Sequence, residues 1–294
     1  MTKFEKQRAG LVSLLIATSL IGWDPLFKTF ALSWRNDEYT YILLILPFSL
    51  ALFFLDRNTR EVVYEWDPRV GVSLLLAAAA LAVTPRLLSS APAADVRLAI
   101  DMLAIVLSWV GGFVLCFGRW AARRVLFPLL FLSGLVPLPD VAMNCIVAFL
   151  QEGSAWSAHA LFVLFRVPVF QQGVLLTIPN LTIQVAQECS SIRSSTLLLV
   201  TAIISAKVLL RSPWRRILIV ALAIPLSVAK NGLRIFAIAM LGTRVDAGYL
   251  TGSFHRHGGI LFFLAALAGI FAAIAVARRH ENLQASWNSL RRAT

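Results

Sequence analysis

The 294 residues specify an all-α polytopic membrane protein: about eight transmembrane helices, an interfacial helix and a small β-hairpin-like segment on the outer face. Composition is the first reason. The chain is 59% hydrophobic and 14% charged, with a mean hydropathy of +0.77, whereas a soluble domain carries about a quarter charged residues. Second, apolar runs of spanning or near-spanning length recur along the whole chain. Third, Lys and Arg collect in alternate short loops, the pattern that sets membrane topology. The net charge of +12 therefore needs no nucleic acid to explain it.

Taken in order, the apolar runs predict spans over 10–22, 39–55, 70–83, 98–117, 125–137, 191–210, 217–241 and 258–277. The run over 11–21 lacks a small-residue cleavage site and is followed by Trp23-Asp24-Pro25, so it reads as a retained first span. Between the fifth and sixth spans lies an outer-face segment, 138–189. Its first part, 141–165, mixes Asn144, Gln151, Glu152 and His159 with apolar residues at helical spacing. That suits a helix at the interface or lining a cavity. Next come the β-branched runs 167–170, 174–178 and 182–185, separated by Gln-Gln-Gly and Pro-Asn. Turn residues between such runs predict a hairpin or meander, and open strands cannot face lipid. No repeat or linker marks a second domain, so 1–294 is expected to be a single integral membrane domain.

Orientation follows from the basic clusters. Lys3, Lys6 and Arg8 precede span one; Arg57, Arg60 and Arg69 follow span two; Arg119, Arg123 and Arg124 follow span four. Arg211, Arg215 and Arg216 follow span six, and Arg278, Arg279, Arg291 and Arg292 close the chain. Eight spans put all of them on the cytoplasmic side. The other loops hold Asp24, Asp37, Glu38, Asp95, Asp140, Glu188 and Asp246 and face outward.

Against this background a few polar residues need a reason. Cys189 stands where a helix begins, flanked by Glu188, Ser190 and Ser191, with Arg193 one turn on. A helix N-terminus and a nearby cation both favour a thiolate; a small apolar residue at a membrane boundary is the alternative. Asn231 and Arg234 interrupt the seventh span three residues apart, on one helix face. Arg234 stands seven residues before Leu241, roughly 10 Å below the outer end at about 1.5 Å per residue. A guanidinium at that depth costs at least a few kcal/mol unless it meets an anion or a wet cavity; snorkelling to the headgroups is the bland alternative. His255 and His257 open the eighth span at the same outer face, where a neutral imidazole can exchange protons. A thiol, a fixed cation and a proton carrier are the parts of acyl transfer. Cys116, Cys145 and Cys189 are too few and scattered for a disulfide framework or a metal cluster. No metal-ligand set or glycine-rich phosphate loop is present either, so no cofactor and no metal are expected.

These residues resemble the motifs of the exosortase/archaeosortase family of membrane cysteine transpeptidases. The stretch from Glu188 to Ser194 is similar to the family's Cys-Ser-Gly-x-Arg-Ser motif, with Ser191 in place of glycine. Asn231-Gly232-Leu233-Arg234 resembles its Asn-x-x-Arg motif, and His255 with Gly259 its His-x-x-x-Gly motif. Upstream, Trp34 to Pro47 resembles an early Trp…Tyr-Ser-His-Gly…Pro segment, although Thr40 and Tyr41 stand where serine and histidine are usual. Phe127-Pro128 to Leu132, then Pro137-Leu138-Pro139, is similar to the family's fifth span.

The resemblance implies an eight-span enzyme of the cytoplasmic (inner) membrane. Its partners would be membrane-anchored proteins carrying a C-terminal sorting signal, a Pro-Glu-Pro-like motif followed by one span and a basic cluster, and a lipid- or polysaccharide-linked acceptor. Cys189 would attack and form a thioester, Arg234 would stabilise the oxyanion, and His255 would serve the leaving amine and the acceptor. Glu188, Ser190, Arg193, Asn231 and Gly259 would support them. Two rival classes stand beside this reading. A small-solute transporter would use Arg234 and Lys230 in its path, but predicts an inverted repeat that the sequence lacks. A non-catalytic component of an export or polysaccharide assembly system would use the β-rich outer segment for docking.

Overall fold

In the computed structural model the described residues are 3–55, 67–87, 92–185, 192–251 and 258–293. They are mostly helical, with one small sheet, as expected of an all-α polytopic membrane protein. Among the described residues, six helices are long and apolar enough to cross a membrane, and two bent helix pairs raise the number to eight if each pair is one span. The chain divides into two compact units, Met1–Met143 and Asn144–Thr294.

The first unit opens with α1 (Lys3–Ile21), which turns by 75° into α2 (Trp23–Arg35). The sequence reading ends a span at residue 22 and leaves a loop; the structure instead continues in a 13-residue helix. Its buried side chains are Leu26, Thr29 and Ser33, spaced along one helical face. A hydropathy window stops at Asp24-Pro25, yet proline is compatible with a first helical turn. After α3 (Ile42–Leu55) comes α4 (Pro68–Leu87), which pairs with the 31-residue α5 (Ala94–Arg124). Gly118 carries φ 84° and bends α5 six residues before its end, a conformation that glycine adopts without Cβ strain. Phe113, Phe117, Ala121 and Val125 close the core with Leu129 of α6 (Leu126–Phe131). Across this unit Tyr39 donates its hydroxyl to the Leu138 carbonyl at 2.9 Å, and Ser49 donates to that of Pro128 at 2.8 Å.

The predicted span over 125–137 is shorter than a span in the structure. It consists of α6 and a 3₁₀ turn, Leu132–Leu135, and only together with α7 (Asp140–Leu164), at a 95° bend, does it pass the length test. Pro137 and Pro139 lie at the break, where missing N–H groups and fixed φ values interrupt a helix.

In the second unit, the outer-face segment forms an antiparallel meander of β1 (Phe170–Gln172), β2 (Leu175–Ile178) and β3 (Leu181–Gln184) in that order. Pro179-Asn180 joins β2 to β3 with Asn180 at φ 67°, the left-handed value that asparagine tolerates in tight turns. The strands sit one to three residues from the predicted runs. Val167 is a core residue rather than a strand residue, because its N–H caps α7 at Phe162. Leu176, Ile178 and Val185 pack on Ala155, Ala158 and Phe162 of α7 and on Ile235 and Ala239 of α9 (Pro213–Arg244). A second core joins α9 to α8 (Ile192–Leu209) and, beyond the short α10 (Gly248–Thr251), to α11 (Gly259–Ala293).

Candidate active site

The mid-part of α9 gathers the polar residues that the sequence singles out. Lys230 and Asn231 are buried, and Arg234 is half-buried one turn on. Asn231 and Arg234 line one cavity of about 250 Å³ together with Ile235, Ile238 and Ala239 of α9. The facing wall is β3 and its continuation, from Leu181 through Val185, and Leu250 of α10 closes one side. The lining is largely aliphatic, so a guanidinium here interacts in a low-dielectric setting where each charge–dipole contact is stronger than in water.

Side-chain hydrogen bonds hold the arrangement. Asn231 donates from Nδ2 to Ser154 Oγ on α7 at 2.9 Å, and Ser154 donates in turn to the Leu150 carbonyl. Gln151, one residue after Leu150, donates from Nε2 to the Val185 carbonyl at 3.1 Å. One turn of α7 thus fixes both Asn231 and the end of β3. The helices come close enough for this because residue 232 is glycine. A Cβ there would overlap the Ser157 side chain and stand 2.9 Å from the Ala158 backbone nitrogen, and small residues are what permit such close helix approach in a membrane.

Two further contacts tie α9 to the neighbouring motifs. Lys230 donates from Nζ to Ser194 Oγ, in the first turn of α8, at 2.6 Å. Arg234 lies against the start of α11, where a Cβ on Gly259 would stand 3.5 Å from Nη1 and 3.6 Å from Cζ. Thus Asn231, Arg234 and Gly259 come together. Arg193 sits exposed in the first turn of α8 and does not line the cavity. Glu188, Cys189, Ser190 and His255 lie outside the described residues. In the chain, Cys189 follows the cavity-lining Val185 by four residues, and His255 precedes Gly259 by four.

Sequence reasoning named Gln151 as a polar residue of the outer-face helix, Ser194 as part of the cysteine motif and 182–185 as a strand run, but gave none of them, nor Ser154, a place in the site. Gln151 and Ser154 stand three residues apart in an otherwise apolar helix, and that spacing on one face was the available signal. The pairing of Ser194 with Lys230 had no local signal, because the two lie 36 residues apart.

Comparison with known families matches residues 33–272 to the transmembrane exosortases. No curated protein and no solved structure matches the chain. The matched range takes in Cys189, Asn231, Arg234, His255 and Gly259, along with every helix from α3 to α10. On that match, which covers most of its length, the chain belongs to the transmembrane exosortase family of membrane-embedded transpeptidases.

Proposed function

We propose that this exosortase is a cysteine transpeptidase of the cytoplasmic membrane. It cleaves exported proteins at a C-terminal sorting signal, on the outer face, and transfers them to a lipid- or polysaccharide-linked acceptor. The Cys189 thiolate attacks the scissile carbonyl carbon, and Arg234 stabilises the oxyanion that develops. As the C–N bond breaks, His255 gives its proton to the leaving amine, and the acyl group remains on sulfur as a thioester. His255 then takes a proton from the acceptor nucleophile, which attacks the thioester and releases the Cys189 thiolate. With eight crossings, both termini are cytoplasmic and the cavity opens outward.

The position of Arg234 carries this reading. Its guanidinium lines the cavity whose strand wall runs into the Cys189 segment, and it lies against Gly259, the last residue of the His255 motif. Donors aimed at a developing oxyanion typically contribute about 10²- to 10³-fold to a rate, which gives a half-buried arginine within an apolar helix a use worth its desolvation. The test is processing of a co-expressed exported protein bearing a C-terminal sorting segment. Cys189→Ala is expected to abolish the size shift of the substrate while the variant stays membrane-inserted at normal abundance. Undiminished cleavage would overturn the assignment of the nucleophile.

A further inference from the structure

β3 is an edge strand, and its free side borders the cavity. The register pairs Ile178 with Leu181 and Leu176 with Ile183, and Val185 donates its N–H to the Val174 carbonyl at 3.0 Å. Hydrogen-bonded pairs alternate in an antiparallel ladder, so residues 181 and 183 spend their backbone groups on β2, in phase with the N–H of Val185 on Val174. The N–H and C=O of Thr182 and Gln184 therefore point away from β2, and among the described residues no backbone group pairs with them.

The cavity lining locates that free side. Successive side chains of a strand point to opposite faces, so a cavity lying on one face would touch every second residue. All of Leu181, Thr182, Ile183, Gln184 and Val185 line this one; it runs along the strand edge. The cavity, of about 250 Å³, borders that edge, and an extended segment is the occupant that an unpaired strand edge recruits.

The geometry points to strand addition as the way the substrate is held. The segment around the scissile bond lies extended along the outer edge of β3, pairing with the backbone of Thr182 and Gln184. Its small apolar side chains sit among Ile235, Ile238 and Leu250, and its carbonyl is carried toward Arg234. Main-chain pairing of this kind supplies affinity, while pockets for alternate side chains supply selectivity. This inference rests on the reading of Cys189 as the nucleophile.

The test uses the full-length protein in detergent and two alkylating probes, Ac-Val-Leu-Val-Ala-chloromethyl ketone and iodoacetamide. In each, the Cys189 sulfur displaces a halide ion, and the adduct at Cys189 is read by mass spectrometry. Single N-methylation of each peptide amide is expected to slow peptide labelling about tenfold at alternate residues and to leave the residues between them within about twofold. One hydrogen bond of up to about 1.4 kcal/mol corresponds to that factor. Gln184→Pro removes an outward N–H that β2 does not use, and an edge strand tolerates it. It should lower the ratio of peptide to iodoacetamide labelling about tenfold. Peptide labelling no faster than iodoacetamide, or an N-methyl scan without alternation, would overturn the edge pairing and leave the nucleophile in place. If neither probe labels Cys189, the nucleophile reading falls and takes this one with it.

Discussion

At the scale of single residues, the role proposed for Arg234 is one that a point charge does not fill. A guanidinium is a planar fork that keeps two donors in fixed relation, whereas an ammonium is compact, strongly hydrated and readily neutralised by burial. Gly259 leaves space beside that fork, where a Cβ would stand 3.5 Å from Nη1 and 3.6 Å from Cζ. Arg234→Lys is therefore expected to lower the processing rate about 10²-fold with normal membrane insertion, read as the initial rate of substrate shortening; a rate near wild type would mean that only the charge is used. Arg234 itself was legible in the sequence because a charge in an apolar run has few reasons to exist. Its surroundings were not. Asn231 meets Ser154 and Lys230 meets Ser194 across separations of 77 and 36 residues, and such partners depend on where two helices cross, which no local pattern encodes.

Elements are legible to the extent that one physical signal dominates them. α8 and the body of α9 follow the predicted 191–210 and 217–241 closely, because a run of about twenty apolar residues in a bilayer satisfies its backbone as a helix. The bends escaped for the opposite reason. Trp23–Arg35 is amphipathic rather than uniformly apolar, and the run over 125–137 reads as a span of its own although Leu126–Leu135 is long enough only with Asp140–Leu164. Where α9 passes α7, the sequence shows Gly232 without showing what it faces. The structure puts Ser157 and Ala158 there, with no room for a methyl group. Gly232→Val is expected to destabilise the protein by about 1–3 kcal/mol, the usual cost of overpacking, visible as a lower Tm in detergent. The same push moves Asn231 and Arg234, so processing should fall along with Tm. A variant with unchanged Tm would show that the two helices can part without cost.

For the molecule as a whole, sidedness turns on one bent pair. If the Leu126–Leu135 and Asp140–Leu164 helices together cross the bilayer, α8 starts outside. Arg211, Arg215 and Arg216 then lie with Arg119, Arg123 and Arg124 in the cytoplasm. If the pair dips in and returns, α8 runs the other way. Three arginines between α8 and α9 would then face outward, against the bias that Lys and Arg impose on short loops. The link between Glu281 and this loop bears on the same point. Glu281 accepts from the N–H of Arg211 at 3.0 Å and of Ser212 at 2.9 Å and pairs with Arg215 at 3.5 Å. The α8–α9 loop and the end of α11 therefore share one side of the membrane, and the basic residues Arg278 and Arg279 share it with them. In a background lacking the native cysteines, Val245→Cys, 67% exposed beyond the end of α9, should react with a membrane-impermeant maleimide in intact cells. Arg278→Cys should react only after permeabilisation. The reverse pattern would mean that the bent pair does not cross, and it would move Arg234 and its cavity to the cytoplasmic face, against the outward-facing site proposed above.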